Sequence, residues 1–273
     1  MDFNLSAKFD GDEAEYHRIP AYEGSQSIQG ISRGLVLVSH YLATGVVRHK
    51  APFGGGIQVF IRPAQPGSLE QIYQIVADPT VQIIGGKILE NVTSSVLSDF
   101  VKLIFSNAVG KSSKTETKEI AELEDARPGD VDALTDAVTP TLSLGHTAID
   151  RGVKNIIIVN GDNNVVNFNG ATKQFINQSV MGDDVEEQDL SVGSFNANTH
   201  YGRVYFHDLG KTVPFTLSKS IESETIGAIT HSLDCYANGL PSDILVRFLR
   251  ITASDGRTKK ILIVGAKKTE AEV

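Results

Sequence analysis

The chain reads as an α+β protein: a mixed α/β N-terminal domain, a helical connector and a β-rich C-terminal domain built as a small barrel. Three observations predict this. Apolar residues recur at helical spacing through the first third, a polar stretch interrupts the pattern after Gly110, and the texture turns to short β-branched runs from Asn155 onward. The expected domains are therefore residues 1–110, 111–154 and 155–273.

The first element is a strand, because "FNLSAKF" places Phe3, Leu5, Ala7 and Phe9 on one side at period two. "DGDE" then supplies a turn, and Ile28, Ile31, Leu35, Val38 and Leu42 form one helical stripe. Ser25 or Ser27 is positioned to cap that helix. "IQVFIRP" is a strand ended by Pro63, whose ring nitrogen has no proton for a ladder. "GSLEQIYQIV" reads as a short helix opened by a Ser68–Gln71 capping box, with Ile72, Ile75 and Val76 inward. Further helices are expected over Val81–Asn91 and Ser95–Ala108.

"KSSKTETKEIAELEDARPGD" is charged and nearly free of large apolar residues, so it reads as a linker or an exposed helix. After it, Val131, Leu134 and Val138 share a face, and Thr139-Pro140 is placed to end one helix and start another. Ile156–Val159 and Val165–Phe168 flank an Asn160-Gly161 turn signal and read as a hairpin. "MGDDVEEQD" (Met181–Asp189) reads as a solvated acidic loop. Three strands follow, in "SVGSFNAN", "GRVYFHDL" and "TVPFTL". A helix carries Ile226, Ile229 and Leu233 up to Gly239, and two strands flank "SDG". From Ser191 the order is strand, strand, strand, helix, strand, strand, which is similar to that of an OB-type barrel.

Composition narrows the function classes. The net charge of −8 divides as −2 over residues 1–110, −3 over 111–154 and −3 over 155–273. Nucleic-acid binders cluster Lys and Arg to neutralise phosphates, so nucleic acid is a disfavoured partner. The longest uncharged run, Gly34–Val47, has 14 residues, short of the roughly 20 a bilayer-spanning helix needs. The N-terminus is acidic and lacks a signal-peptide pattern. One cysteine, Cys235, excludes an internal disulfide, and its helical setting reads as a buried thiol. A cytoplasmic location is the expectation.

Motifs with chemistry are sparse. "IIIVNGDNNVVNFNG" holds five asparagines between β-branched residues, and the ordinary reason is turn chemistry, since asparagine closes Asx-turns and tolerates positive φ. An EF-hand register begun at Asp162 puts Asn167 at position six and Lys173 at position twelve, where glycine and glutamate are required. "NAVGKSS" lacks the first glycine of a phosphate loop. Among seven histidines, His146 and Asp150 sit one helical turn apart, as a base and its orienter or two metal ligands would. His146 also lies on the apolar stripe with Leu142 and Ile149, as a core histidine does. His200, His207 and Asp208 are close in sequence and form the other candidate constellation.

These observations favour a non-catalytic protein-binding or assembly module, through a protein partner or self-association. No motif implies a cofactor or a resident metal. The alternative is a metal-assisted hydrolase using His200, His207 and Asp208, or His146 and Asp150. A weaker alternative is single-stranded nucleic-acid binding by the barrel, with Phe195, Tyr201, Tyr205 and Phe206 as stacking residues.

Overall fold

The computed structural model describes residues 2–53, 56–63, 69–77, 92–111, 113–198, 200–253 and 256–269. By its internal contacts the chain divides into two compact units, Met1–Asn177 and Gln178–Val273.

The first unit is a five-stranded antiparallel sheet with helices. Its strands are β1 (Asp2–Asp10), β2 (Ile57–Arg62), β3 (Glu70–Ala77), β4 (Asn155–Asn160) and β5 (Asn163–Phe168), in the order β2-β3-β1-β4-β5. β1 alternates as expected, burying Phe3, Leu5, Ala7 and Phe9. The helices are α1 (Ala21–Thr44), α2 (Ser94–Ala108), α3 (Lys118–Ala126), α4 (Pro128–Gly145) and α5 (Gly170–Asn177). Leu35 and Val38 of α1, Phe100 and Ile104 of α2, and Leu134 of α4 join the core over β1. Each such fully buried side chain contributes roughly 1.5–3 kcal/mol.

"EQIYQIV" is strand β3 and not a helix: Tyr73 and Ile75 are buried and pair with Leu5 and Phe3 of β1. Its β-branched residues satisfy helical spacing by coincidence, and two flanking strands decide the outcome. Ser68 and the helix expected over residues 81–91 lie outside the described residues. α1 starts at Ala21, ahead of both serines, and Pro20 precedes it without a side-chain cap. Ser27 instead accepts a 2.9 Å hydrogen bond from the Ala148 amide.

The charged stretch after Gly110 does not mark a boundary. Asp99 of α2 accepts from the amides of Glu116 (2.9 Å) and Thr117 (2.7 Å), and α3 buries Ile120 and Leu123. α4 runs unbroken through Pro140. The ring removes one backbone bond, but Val131, Leu134, Val138 and Leu142 form a single buried stripe on both sides of it. The β4–β5 hairpin, expected in the C-terminal domain, belongs to the first unit, because β4 pairs with β1 through Phe9↔Ile156 and Ala7↔Ile158.

The second unit is a closed barrel of β6 (Val180–Asn196), β7 (Tyr201–Phe206), β8 (Lys211–Leu217), β9 (Asp243–Thr252) and β10 (Thr258–Lys268), in the order β10-β8-β7-β6-β9. β8 and β10 pair in parallel, every other neighbour antiparallel, and α6 (Ser223–Ala237) connects β8 to β9. This is the OB-type order the sequence predicts. Gly239, at φ 68°, ends α6 as expected. The acidic run is not a loop but part of β6. Glu186 and Glu187 pair with the neighbouring strand β9: Arg250 Nε and Nη2 donate to the Glu186 carboxylate at 2.8 and 2.6 Å, and Arg247 lies 3.6 Å from Glu187. Among the described residues no helix is long and apolar enough to cross a membrane.

Candidate functional site

The asparagine stretch divides into three jobs. Gly161 holds φ 59° at the tip, where a two-residue hairpin needs a positive value. Asn169 opens α5: its Oδ1 accepts from the Thr172 amide (3.1 Å), and its own amide donates to Thr172 Oγ1 (2.8 Å). Asn160 does something a turn does not require. Its Nδ2 donates to Ser94 Oγ (3.0 Å) and to Ser94 O (3.3 Å), docking the hairpin on the first turn of α2.

Asn160 and Ser94 also line a cleft of about 650 Å³, together with the first turns of α2, Glu116 and Thr117 just ahead of α3, and Asn163 and Asn164. Asn163 and Asn164 are exposed at its lip. Asp99 belongs to its wall, although it is only 4% exposed. Its Oδ2 receives three bonds, the two amides above and Thr117 Oγ1 at 2.7 Å. Its Oδ1 is buried with no hydrogen-bond partner among the described residues. Lys102 on the same wall forms an ion pair with Glu116. Sequence reasoning missed Ser94, Asp99 and Thr117. The polar "TSS" ahead of an apolar helical run was the available signal.

The histidine candidates are placed elsewhere and apart. α4 ends at Gly145, so His146 and Asp150 are not on one helical face. His146 is fully buried, with Nδ1 2.6 Å from Leu142 O and Nε2 2.9 Å from Thr172 Oγ1. Burial, the largest cause, lowers its pKa to about 4, and Lys173 and Lys111 add to this; the Leu142 carbonyl opposes it. The ring is a bonded core histidine at neutral pH. Asp150 instead lies 3.4 Å from Lys173 Nζ.

His200 precedes β7 while His207 and Asp208 follow it. Seven residue steps of strand separate them by roughly 20 Å at about 3.3 Å per residue. His207 Nε2 lies 3.1 Å from Asp243 Oδ1, and Asp208 accepts from Gln188 Nε2 at 2.6 Å. Among the described residues no group of three or more His, Cys, Asp or Glu is arranged to hold a metal ion. Of the stacking candidates, Phe206 is wholly buried against Phe248 and Phe195 stacks on Phe215. Tyr205 is exposed and meets His207 edge-on, and Tyr201 is half-buried.

One further surface stands out. β2 is an edge strand that pairs only with β3 among the described residues, and it exposes Phe60 and Ile61 at 46% and 56%. Unpaired backbone groups beside apolar side chains are a template for another strand.

No curated protein and no solved structure matches the chain. Residues 184–267, within the barrel unit, match the Family of unknown function (DUF7947). Residues 5–177 match the Domain of unknown function (DUF7946), a match that stops where the first compact unit stops. That match spans well over half of the sequence, and the chain belongs to the DUF7946 family.

Proposed function

We propose that the protein is a non-catalytic binding and assembly module of the cytoplasm, working through protein–protein contacts, and that β2 pairs with β2 of a second copy. The exposed apolar edge of β2 carries this reading. An edge of this kind supports strand addition, with backbone hydrogen bonds for affinity and alternate side chains for selectivity. The pattern of β2 favours its own copy. Ile57, Val59 and Ile61 occupy one face and are symmetric about Val59. An antiparallel pair centred there sets Ile57 against Ile61 of the other copy and Val59 against itself, and cross-strand β-branched pairs stabilise. A cytoplasmic setting accords with a lone, unpaired and buried thiol at Cys235.

Light scattering coupled to size exclusion tests the proposal. The expected species is a dimer that dissociates on dilution. Phe60→Lys with Ile61→Lys should yield a monomer with an unchanged circular dichroism spectrum. A wild-type chain that stays monomeric at every accessible concentration would refute it, as would a lysine variant that stays dimeric.

A further inference from the structure

The cleft beside the asparagine hairpin holds groups that neither turn nor capping chemistry consumes. Asn163 and Asn164 present their amides at the lip, and each amide both donates and accepts. Val165 is the only apolar residue among the described residues that line it, and the others carry hydroxyl, amide, carboxylate or ammonium groups. The start of α2 would favour an anion through its free amides. The carboxylates of Asp99 and Glu116 stand in the same walls and oppose one. Lys102 and Glu116 neutralise each other. Among the described residues no cation pairs with Asp99, and its Oδ1 is shielded from water without a donor. An unmatched carboxylate oxygen in such a place is costly, and a charged donor meets it with a strong hydrogen bond.

We infer that this cleft binds a small polar cation, whose ammonium or guanidinium group donates to Asp99 Oδ1 while Asn163 and Asn164 bond its polar remainder. Because Oδ1 is shielded in the free protein, entry of the donor requires displacement of a wall side chain. The site is independent of the β2 interface, and loss of either leaves the other intact.

Agmatine and putrescine serve as guanidinium and ammonium probes, with inorganic phosphate, glucose and calcium chloride as comparisons. In amide NMR titrations of the full chain, one of the two cations should shift Asn163 and Asn164 saturably at millimolar concentration. Asp99→Asn keeps an acceptor for the α3 amides and should weaken binding about tenfold or more. The double variant Asn163→Ala, Asn164→Ala alters only exposed lip residues and should weaken binding without changing the melting temperature. It decides the matter alone if Asp99→Asn fails to fold. The inference fails if neither cation saturates, if phosphate, glucose or calcium binds there in their place, or if the lip variant binds as the wild type does.

Discussion

Gly30 of α1 and Gly145 of α4 meet backbone to backbone: a Cβ built on Gly30 would lie 2.3 Å from Gly145 N and 2.4 Å from Thr141 O. The two helices approach this closely because Gly30 interposes no side chain, whereas a Cβ on Gly145 would meet Ile31 Cγ1 at an ordinary 3.5 Å. The nearby bond from the Ala148 amide to Ser27 Oγ, at 2.9 Å, depends on the same approach.

Gly30→Ala should therefore destabilise the first unit by about 3 kcal/mol, since backbone and not a flexible side chain must move. Gly227, also inside a helix, has open space where its Cβ would be. Gly227→Ala should stabilise by about 0.5–1 kcal/mol through helix propensity alone. Urea unfolding of both variants checks the pair, and equal effects would discredit the close-contact argument.

His146 should make stability depend on pH in a defined window. Its folded pKa of about 4 lies below the ordinary 6.5. Above the ordinary value both states hold a neutral ring. As pH falls between the two values the unfolded chain binds a proton that the folded chain refuses. The native state should lose roughly 3 kcal/mol across that range, at about 1.36 kcal/mol per unit. His146→Gln should flatten this component of the slope, whatever its effect on stability at neutral pH.

Arg250 should anchor one end of the barrel. Besides Glu186 it reaches Thr258 Oγ1 at 2.9 Å, and it sits 5.4 Å from the Phe206 ring and 5.7 Å from the Phe248 ring. The hydrogen-bonded Arg250 holds the Glu186 pKa below the usual carboxylate range. Both groups are partly exposed, so screening reduces the ionic part. Arg250→Ala should cost about 1–2 kcal/mol, and β9 amides should exchange hydrogen roughly tenfold faster. High salt should close only part of the gap, because the ring contacts remain.

The elements legible in the sequence are those whose signal is local. β1, α1, β2, α2, the β4–β5 hairpin and the strand order of the barrel all follow from spacing and turn residues. The others depend on distant partners. β3 is a strand because β1 and β2 flank it, α3 is seated by Asp99 from another helix, and β6 tolerates its acidic run because Arg247 and Arg250 face it. The division after Asn177 follows from β4 returning to β1. The cleft was half legible. Its asparagines are conspicuous in the chain, but Ser94 and Asp99 reach them only through the fold.

The central place of β1 has a consequence for synthesis. Phe9 waits for Ile156 before its second edge is sealed, so a nascent chain carries that strand incomplete until the long segment between them has been made. The barrel imposes a similar delay, since β10 must leave the ribosome before it can lie beside β8. Such distant pairings slow folding and leave strand edges open to wrong partners. Slower translation at reduced temperature and holdase chaperones should therefore raise the soluble yield.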